Sequence, residues 1–174
     1  MATSVSVPVE EYLNTSYEPD REYVDGELVE RHVGEYLHSR LQALILVLLM
    51  NRERERRFRA FPELRVEVSE RRRYRIPDIC VKALPHEVTP VLTKPDLAIE
   101  VLSREDEPGD MLQRIGDYLH SGTPVIWVVD PYRRQLFVAG HEGVREIADL
   151  VVSTDLVGSV DFNELFRQLD EPAD

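Results

Sequence analysis

Two acids stand inside runs that are otherwise apolar. Asp78 lies in Ile76-Pro77-Asp78-Ile79-Cys80-Val81, and Glu100 lies in Pro95-Asp96-Leu97-Ala98-Ile99-Glu100-Val101-Leu102-Ser103. A carboxylate flanked by Leu97, Ile99, Val101 and Leu102 is costly to take out of water unless it holds a cation. Oxygen donors of this kind suit a metal cation. The pair reads as a metal site at the edge of a sheet. Asp96, four residues before Glu100 and on the same strand face, could reach such a metal through water. It could equally be a turn residue after Pro95. At Glu35, the start of a long helix, the helix dipole favours an acid in any case.

The elements that must position these acids follow from hydrophobic spacing. Val9 to Leu13 reads as a short helix with Pro8 near its first turn. Glu22 to Glu30 reads as a hairpin turning at Asp25-Gly26. From Glu35 to about Glu55 no Gly or Pro intervenes, and Leu37, Leu41, Leu44, Ile45 and Leu48 follow helical spacing. Phe58 to Val68 alternates as a strand, with Pro62 pointing to a sheet edge or bulge. Ser69 to Arg73 is then a turn, Tyr74 to Val81 a strand, and Ala83 to Lys94 a loop. Leu97 to Leu102 and Val125 to Val129 are apolar enough to be central strands. Between them, Asp110 to His120 reads as an amphipathic helix stopped at Gly122, with Asp110 as its cap. Leu136 to Ala139 is a further strand, and Asp161 to Leu169 a last helix. The order predicts one α/β (α+β) domain over 1–174, a mixed central sheet flanked by helices.

Composition narrows the class. A chain of 174 residues with 43% hydrophobic and 31% charged residues fits a single globular domain. The lone cysteine, Cys80, allows no internal disulfide and fits a cytoplasmic setting. No signal peptide is visible in Met1 to Ser6. The apolar run from Ala43 to Met50 is too short to cross a bilayer and reads as a buried helix segment. A net charge of −12 argues against coating nucleic acid by bulk electrostatics. Arginines nevertheless cluster at Arg52, Arg54, Arg56, Arg57 and Arg59, and again at Arg71, Arg72, Arg73 and Arg75. They form either a local phosphate-binding face or the solvated dressing of a helix end and a hairpin turn.

The segments Tyr23-Val24-Asp25-Gly26-Glu27-Leu28-Val29-Glu30, Pro77-Asp78, Pro95 to Ser103, and Tyr118-Leu119-His120-Ser121-Gly122-Thr123-Pro124-Val125-Ile126-Trp127-Val128-Val129-Asp130-Pro131 resemble, in order, the Uma2 family. That family groups restriction-endonuclease-like proteins of the PD-(D/E)xK nuclease superfamily, and the resemblance spans about residues 8–166. It implies a metal-dependent endonuclease that hydrolyses phosphodiester bonds of DNA. Asp78 and Glu100 would be the acids that bind Mg²⁺ or Mn²⁺, and Glu35 matches a Glu often found on the superfamily's first core helix. The superfamily's Lys, two residues after the second acid, is Leu102 here. In many Uma2 members a Lys four residues before the helical Tyr takes that part, and with Tyr118 as the Tyr the position is Arg114. An Arg can hold phosphate but is a poor general base.

Two other readings compete. Glu35/His38 and Asp117/His120 each have an acid and a His three apart, as in di-iron bundles, but such bundles need four long helices. On that ground His38 and His120 are expected on polar faces. A catalytically degenerate nuclease fold that binds nucleic acid or a protein without cutting is the other reading. If the chain cuts both strands of a duplex, a homodimer is expected, because two-fold symmetry matches the duplex.

Overall fold

A computed structural model describes residues 6–31, 34–70 and 72–171. Residues 32–33, Arg71 and the ends of the chain, including most of Met1 to Ser6, lie outside the described residues. In chain order come helix α1 (Val9–Asn14), the hairpin β1 (Arg21–Val24) and β2 (Glu27–Glu30), and the long helix α2 (Tyr36–Arg56). Then follow β3 (Phe58–Pro62), β4 (Val66–Ser69), β5 (Arg73–Arg75), β6 (Ile79–Ala83), β7 (Leu92–Thr93) and β8 (Leu97–Val101). Helix α3 (Pro108–Ser121) leads to β9 (Ile126–Asp130), β10 (Gln135–Gly140), β11 (Gly143–Glu146), β12 (Val151–Thr154), β13 (Gly158–Asp161) and helix α4 (Phe162–Leu169).

A six-stranded sheet ordered β11-β10-β9-β8-β6-β3 forms the centre. It is mixed: β8 and β9 run parallel with α3 as their crossover, and the other neighbours are antiparallel. Alternation along the strands gives it two apolar faces. Ile79, Val81, Leu97, Ile99 and Val101 pack with Leu41, Ile45 and Leu49 of α2 and with Phe162, Leu165, Phe166 and Leu169 of α4. Cys80, Ala98, Ile126 and Val128 face the other way, onto Met111, Ile115 and Tyr118 of α3. Every residue of β8 and β9 is buried, as their continuous apolar character requires. Strands 76–81, 96–102 and 125–129 were expected to be central, and β6, β8 and β9 are inner strands of this sheet.

A smaller sheet ordered β2-β1-β5-β4-β7 lies beside it, and its β4 packs on α3 through Val66 and Val68. Asp25 (φ 50°) and Gly26 (φ 99°) turn the hairpin, the left-handed pair that a two-residue connection demands.

The structure departs from the expected elements at several points. Phe58 to Val68 is not one strand: the chain breaks at 63–65, with Glu63 at φ 48°, so β3 and β4 belong to different sheets. Pro62 ends β3, the edge strand of the large sheet. Tyr74 to Val81 also breaks, at Ile76-Pro77-Asp78, because Pro77 has no N–H to give a ladder. The expected loop 83–94 contains the short β7, which pairs with β4. The Ala43–Met50 segment is buried on one side only, with Val47 and Met50 more than half exposed. Glu107, not Asp110, is the N-cap residue of α3, so Asp110 falls in the first turn. The arginines ending α2 tie it to the distant β12–β13 hairpin, Arg52 donating to the Val157 and Ser159 carbonyls at 3.1 and 2.6 Å.

Candidate active site

The acids meet where β6 begins and β8 ends. Ile79 pairs with Ile99, Cys80 with Ala98 and Val81 with Leu97, so the same register sets Asp78 opposite Glu100. Glu100 lies on the α3 face with Ala98, while the Asp78 side chain, just before β6, meets His38 of α2 and the Val101 N–H. Asp78 and Glu100 are only 2% and 1% exposed.

Each carboxylate is held by named donors. Asp78 Oδ2 accepts the Val101 N–H at 2.7 Å, and Oδ1 accepts Arg31 Nη2 at 2.8 Å with His38 Nε2 at 3.3 Å. Burial pushes Asp78 up, but the His38 hydrogen bond and charge, Arg31 and the Val101 amide hold it below its ordinary value. Glu100 Oε1 accepts the Tyr118 hydroxyl at 2.6 Å, and Arg114 Nη1 stands 3.4 Å from Oε2. Burial raises Glu100 to about 7: Arg114 and the Tyr118 bond oppose the rise, and the nearby Asp78 and Glu22 add to it. Burial works against a charged His38, yet the bond and charge of Asp78 raise it above the ordinary imidazole value. The acids are thus tuned apart, as in sites that handle protons or metals.

Arg114 enters the cleft from α3, one turn before Tyr118. Its guanidinium also lies 3.9 Å from Glu22 and 3.9 Å from Asp106. Asp106 in turn accepts from Ser103 N and Oγ at 2.6 and 2.8 Å, folding the segment after β8 back over the cleft. Behind Arg114 a buried ladder fixes α3 to the small sheet. Arg75 donates to Glu22 at 2.7 Å and lies 2.6 Å from Asp117, and Glu22 also accepts the Ile76 N–H at 3.0 Å. Arg75 is therefore internal, not turn dressing.

The remaining expected residues do not reach the pair. Asp96 accepts the Ala83 N–H at 2.8 Å, next to Lys82. It shares a strand face with Glu100, but four residues of extended chain part them by about 13 Å. Glu35 is exposed, with Arg104 Nε and the Tyr132 hydroxyl each 3.0 Å away. His120 is exposed, and Asp117 is engaged by Arg73 and Arg75, so these two acid–His pairs do not face each other as in a di-iron bundle. His38 is the reverse of its expectation: buried, and turned to Asp78. Its spacing was a usable signal, because His38, Leu41, Ile45 and Leu49 form one helical stripe. Arg31, Glu22 and Asp106 had no comparable signal, since the chain brings them from separate elements.

A divalent ion fits the donors present. No cluster of three or more His, Cys, Asp or Glu side chains able to hold a metal occurs among the described residues. Asp78 and Glu100 are the two buried carboxylates at this point, and a hard ion that keeps its waters needs no more than one or two. A gap of about 20 Å³ between Arg31, His38, Asp78, Ser103, Asp106 and Arg114 is about the size of one water.

A mixed sheet that presents paired acids from adjacent strands, with helices on both faces, is the restriction-endonuclease-like architecture. The chain belongs to the Uma2 family, described as "putative restriction endonuclease", whose model matches residues 9–164. Among solved structures it is similar to a putative nuclease belonging to DUF820 from Anabaena variabilis ATCC 29413, at 25% identity and a TM-score of 0.81. That match covers 94% of this chain and 99% of the other. A match to a chain of the DrdV-DNA complex is slighter, at 17% identity and a TM-score of 0.44 over 80% of this chain and 12% of that one. No curated protein matches. No described helix is long and apolar enough to cross a membrane.

Proposed function

We propose that the protein is a cytoplasmic, metal-dependent endonuclease that hydrolyses phosphodiester bonds of DNA as a homodimer, with Asp78 and Glu100 holding Mg²⁺ or Mn²⁺. The observation that carries this is the directly opposed pair of buried carboxylates, one of them raised to about 7, in a member of a family described as restriction endonuclease. When bound, the ion supplies a more acidic water and offsets charge on the phosphate. Tyr118 orients Glu100, while Arg31, His38 and the Val101 amide orient Asp78. Arg114 holds a non-bridging phosphate oxygen with a charge that does not titrate. It does not accept the proton of the attacking water, so turnover is slow for this architecture.

The test is cleavage of a supercoiled plasmid with Mg²⁺, paired with Mn²⁺ titration by calorimetry. Asp78→Asn should lower cleavage by about 10²–10³-fold, the scale on which loss of a charge-stabilising group acts, and abolish Mn²⁺ binding. Arg114→Lys should keep the fold and raise cleavage about tenfold or more, whereas Arg114→Ala should weaken DNA binding. A wild-type chain that binds DNA but neither cuts it nor takes Mn²⁺ would favour the degenerate fold, a reading prompted by Leu102 and by the guanidiniums already on both acids. The homodimer is checked by light scattering at micromolar concentration, where a strictly monomeric mass would count against it.

A further inference from the structure

Arg31 and a divalent ion draw on the same atom. Asp78 Oδ1 takes Arg31 Nη2 at 2.8 Å and His38 Nε2 at 3.3 Å, while Oδ2 takes the Val101 amide. A carboxylate oxygen has two lone pairs, so both of those on Oδ1 are engaged. An ion that binds there displaces one of the two side chains. His38 is the fixed one. Its ring belongs to α2, and a Cβ on Gly34 would lie 2.8 Å from its Nδ1, so the Gly34 backbone walls that side of the ring.

Arg31 has a second partner at hand. Its Nη1 stands 3.5 Å from Glu63, whose side chain is 47% exposed against 3% for Asp78. The Glu63 N–H donates to the Asp78 carbonyl at 3.2 Å, which fixes the outer acid beside the inner one. The guanidinium thus bridges a buried carboxylate and an exposed one. Asp78, as a buried charge, needs a partner, and that need holds Arg31 inward. The exposed pair with Glu63 is the weaker of the two. A divalent ion on Asp78 meets the need by itself and repels the guanidinium.

We infer that Arg31 is a substrate-positioning residue that exchanges partners. It pairs with Asp78 until the ion binds, then turns toward Glu63 and takes another non-bridging phosphate oxygen of the DNA. The charge of the cleft calls for the same order. Asp78 and Glu100 already face Arg31, His38 and Arg114, so a divalent ion leaves an excess of positive charge that a phosphodiester offsets. Metal and DNA should therefore each strengthen the binding of the other, since coupling between two ligands is reciprocal. The exchange rests on the nuclease reading above, and it makes the ion pair on Asp78 a resting state of that site.

The experiment is Mn²⁺ titration of the full chain by calorimetry without DNA. Beside it run binding of a duplex oligonucleotide without metal and steady-state cleavage of that duplex at saturating Mg²⁺. Arg31→Ala should tighten the Mn²⁺ Kd about tenfold, the scale of one hydrogen bond to a charged group. It should leave the metal-free duplex Kd nearly unchanged yet raise KM about tenfold, because the guanidinium reaches phosphate only once the ion is bound. Arg31→Lys, which keeps the charge, should restore most of KM. Glu63→Gln, which removes only the outer charge, should weaken Mn²⁺ binding severalfold, and this arm decides the matter even where Arg31→Ala does not fold. An Mn²⁺ Kd that is unchanged or weaker in Arg31→Ala, or unchanged in Glu63→Gln, overturns the exchange and leaves the nuclease reading standing. Equal losses in metal-free Kd and in KM make Arg31 an ordinary phosphate contact, which also overturns the exchange. A wild type that takes Mn²⁺ but does not cut DNA overturns the nuclease reading and, with it, the transfer to phosphate. A wild type that takes no Mn²⁺ overturns both.

Discussion

Glu100→Gln is expected to yield a more stable protein above neutral pH while abolishing cleavage and Mn²⁺ binding. Glu100 ionises near 7 in the fold against 4.5 as a free side chain. Between these values the folded chain binds more protons than the unfolded one, so this group's contribution to stability falls as pH rises from 4.5 to 7 and is level above. At about 1.4 kcal/mol per pH unit the cost is about 3 kcal/mol at pH 8. For a chain of this size that is a rise in Tm of about 6–12 °C for the variant. Gln keeps an oxygen for the Tyr118 hydroxyl, and Arg114 retains Glu22 and Asp106 as neighbours. Near pH 4.5 the difference should vanish, and Mg²⁺ should stabilise only the wild type. Thermal melts of both proteins from pH 4.5 to 8.5 check this. A variant no more stable than wild type at pH 8 would mean that Arg114 already neutralises Glu100 in full.

Arg75→Ala is expected to destabilise the fold by about 3–5 kcal/mol, because it removes the buried guanidinium shared by Glu22 and Asp117 and leaves them only Arg114 at 3.9 Å and the partly exposed Arg73. The loss should be partly recovered when the acids are neutralised as well. The triple variant Glu22→Gln, Arg75→Met, Asp117→Asn should refold to near wild-type stability, since a buried ion network replaced as a whole is often neutral. Urea denaturation of the single and triple variants separates the two outcomes. Equal midpoints for Arg75→Ala and wild type would show that water reaches the ladder. Because Glu22 also faces Arg114, the triple variant should bind DNA less well even though it folds.

The acids were legible in the sequence because a charge inside an apolar strand stands out against the cost of burying it. Central strands β8 and β9 were legible for the same reason, as runs with no polar face. Arg114 emerged only through family resemblance, since one arginine on an amphipathic helix has no signature of its own. The breaks at Glu63–Arg65 and Ile76–Asp78 were not legible. Alternation continues across the first break and unbroken burial across the second, and neither records which sheet a strand joins. The ladder of Glu22, Arg75 and Asp117 was hidden for a related reason: its members come from β1, β5 and α3, and only tertiary packing makes them neighbours. Asp96 shows the opposite error, in which a correct face assignment ignored the rise along the strand.

The direct pairing of β6 with β8 also says how length changes along this chain should be tolerated. The acids are opposed because Ile79 pairs with Ile99, whatever the length of chain between Leu84 and Asp96 that joins the strands. Lengthening or trimming that loop leaves the two carboxylates facing each other. One residue added inside 79–83 instead reverses the phase of the strand and turns Asp78 to the opposite side of the sheet. Related chains can therefore differ freely in the gap between the acids, but each must keep the parity of the residues that follow the first acid and precede the second.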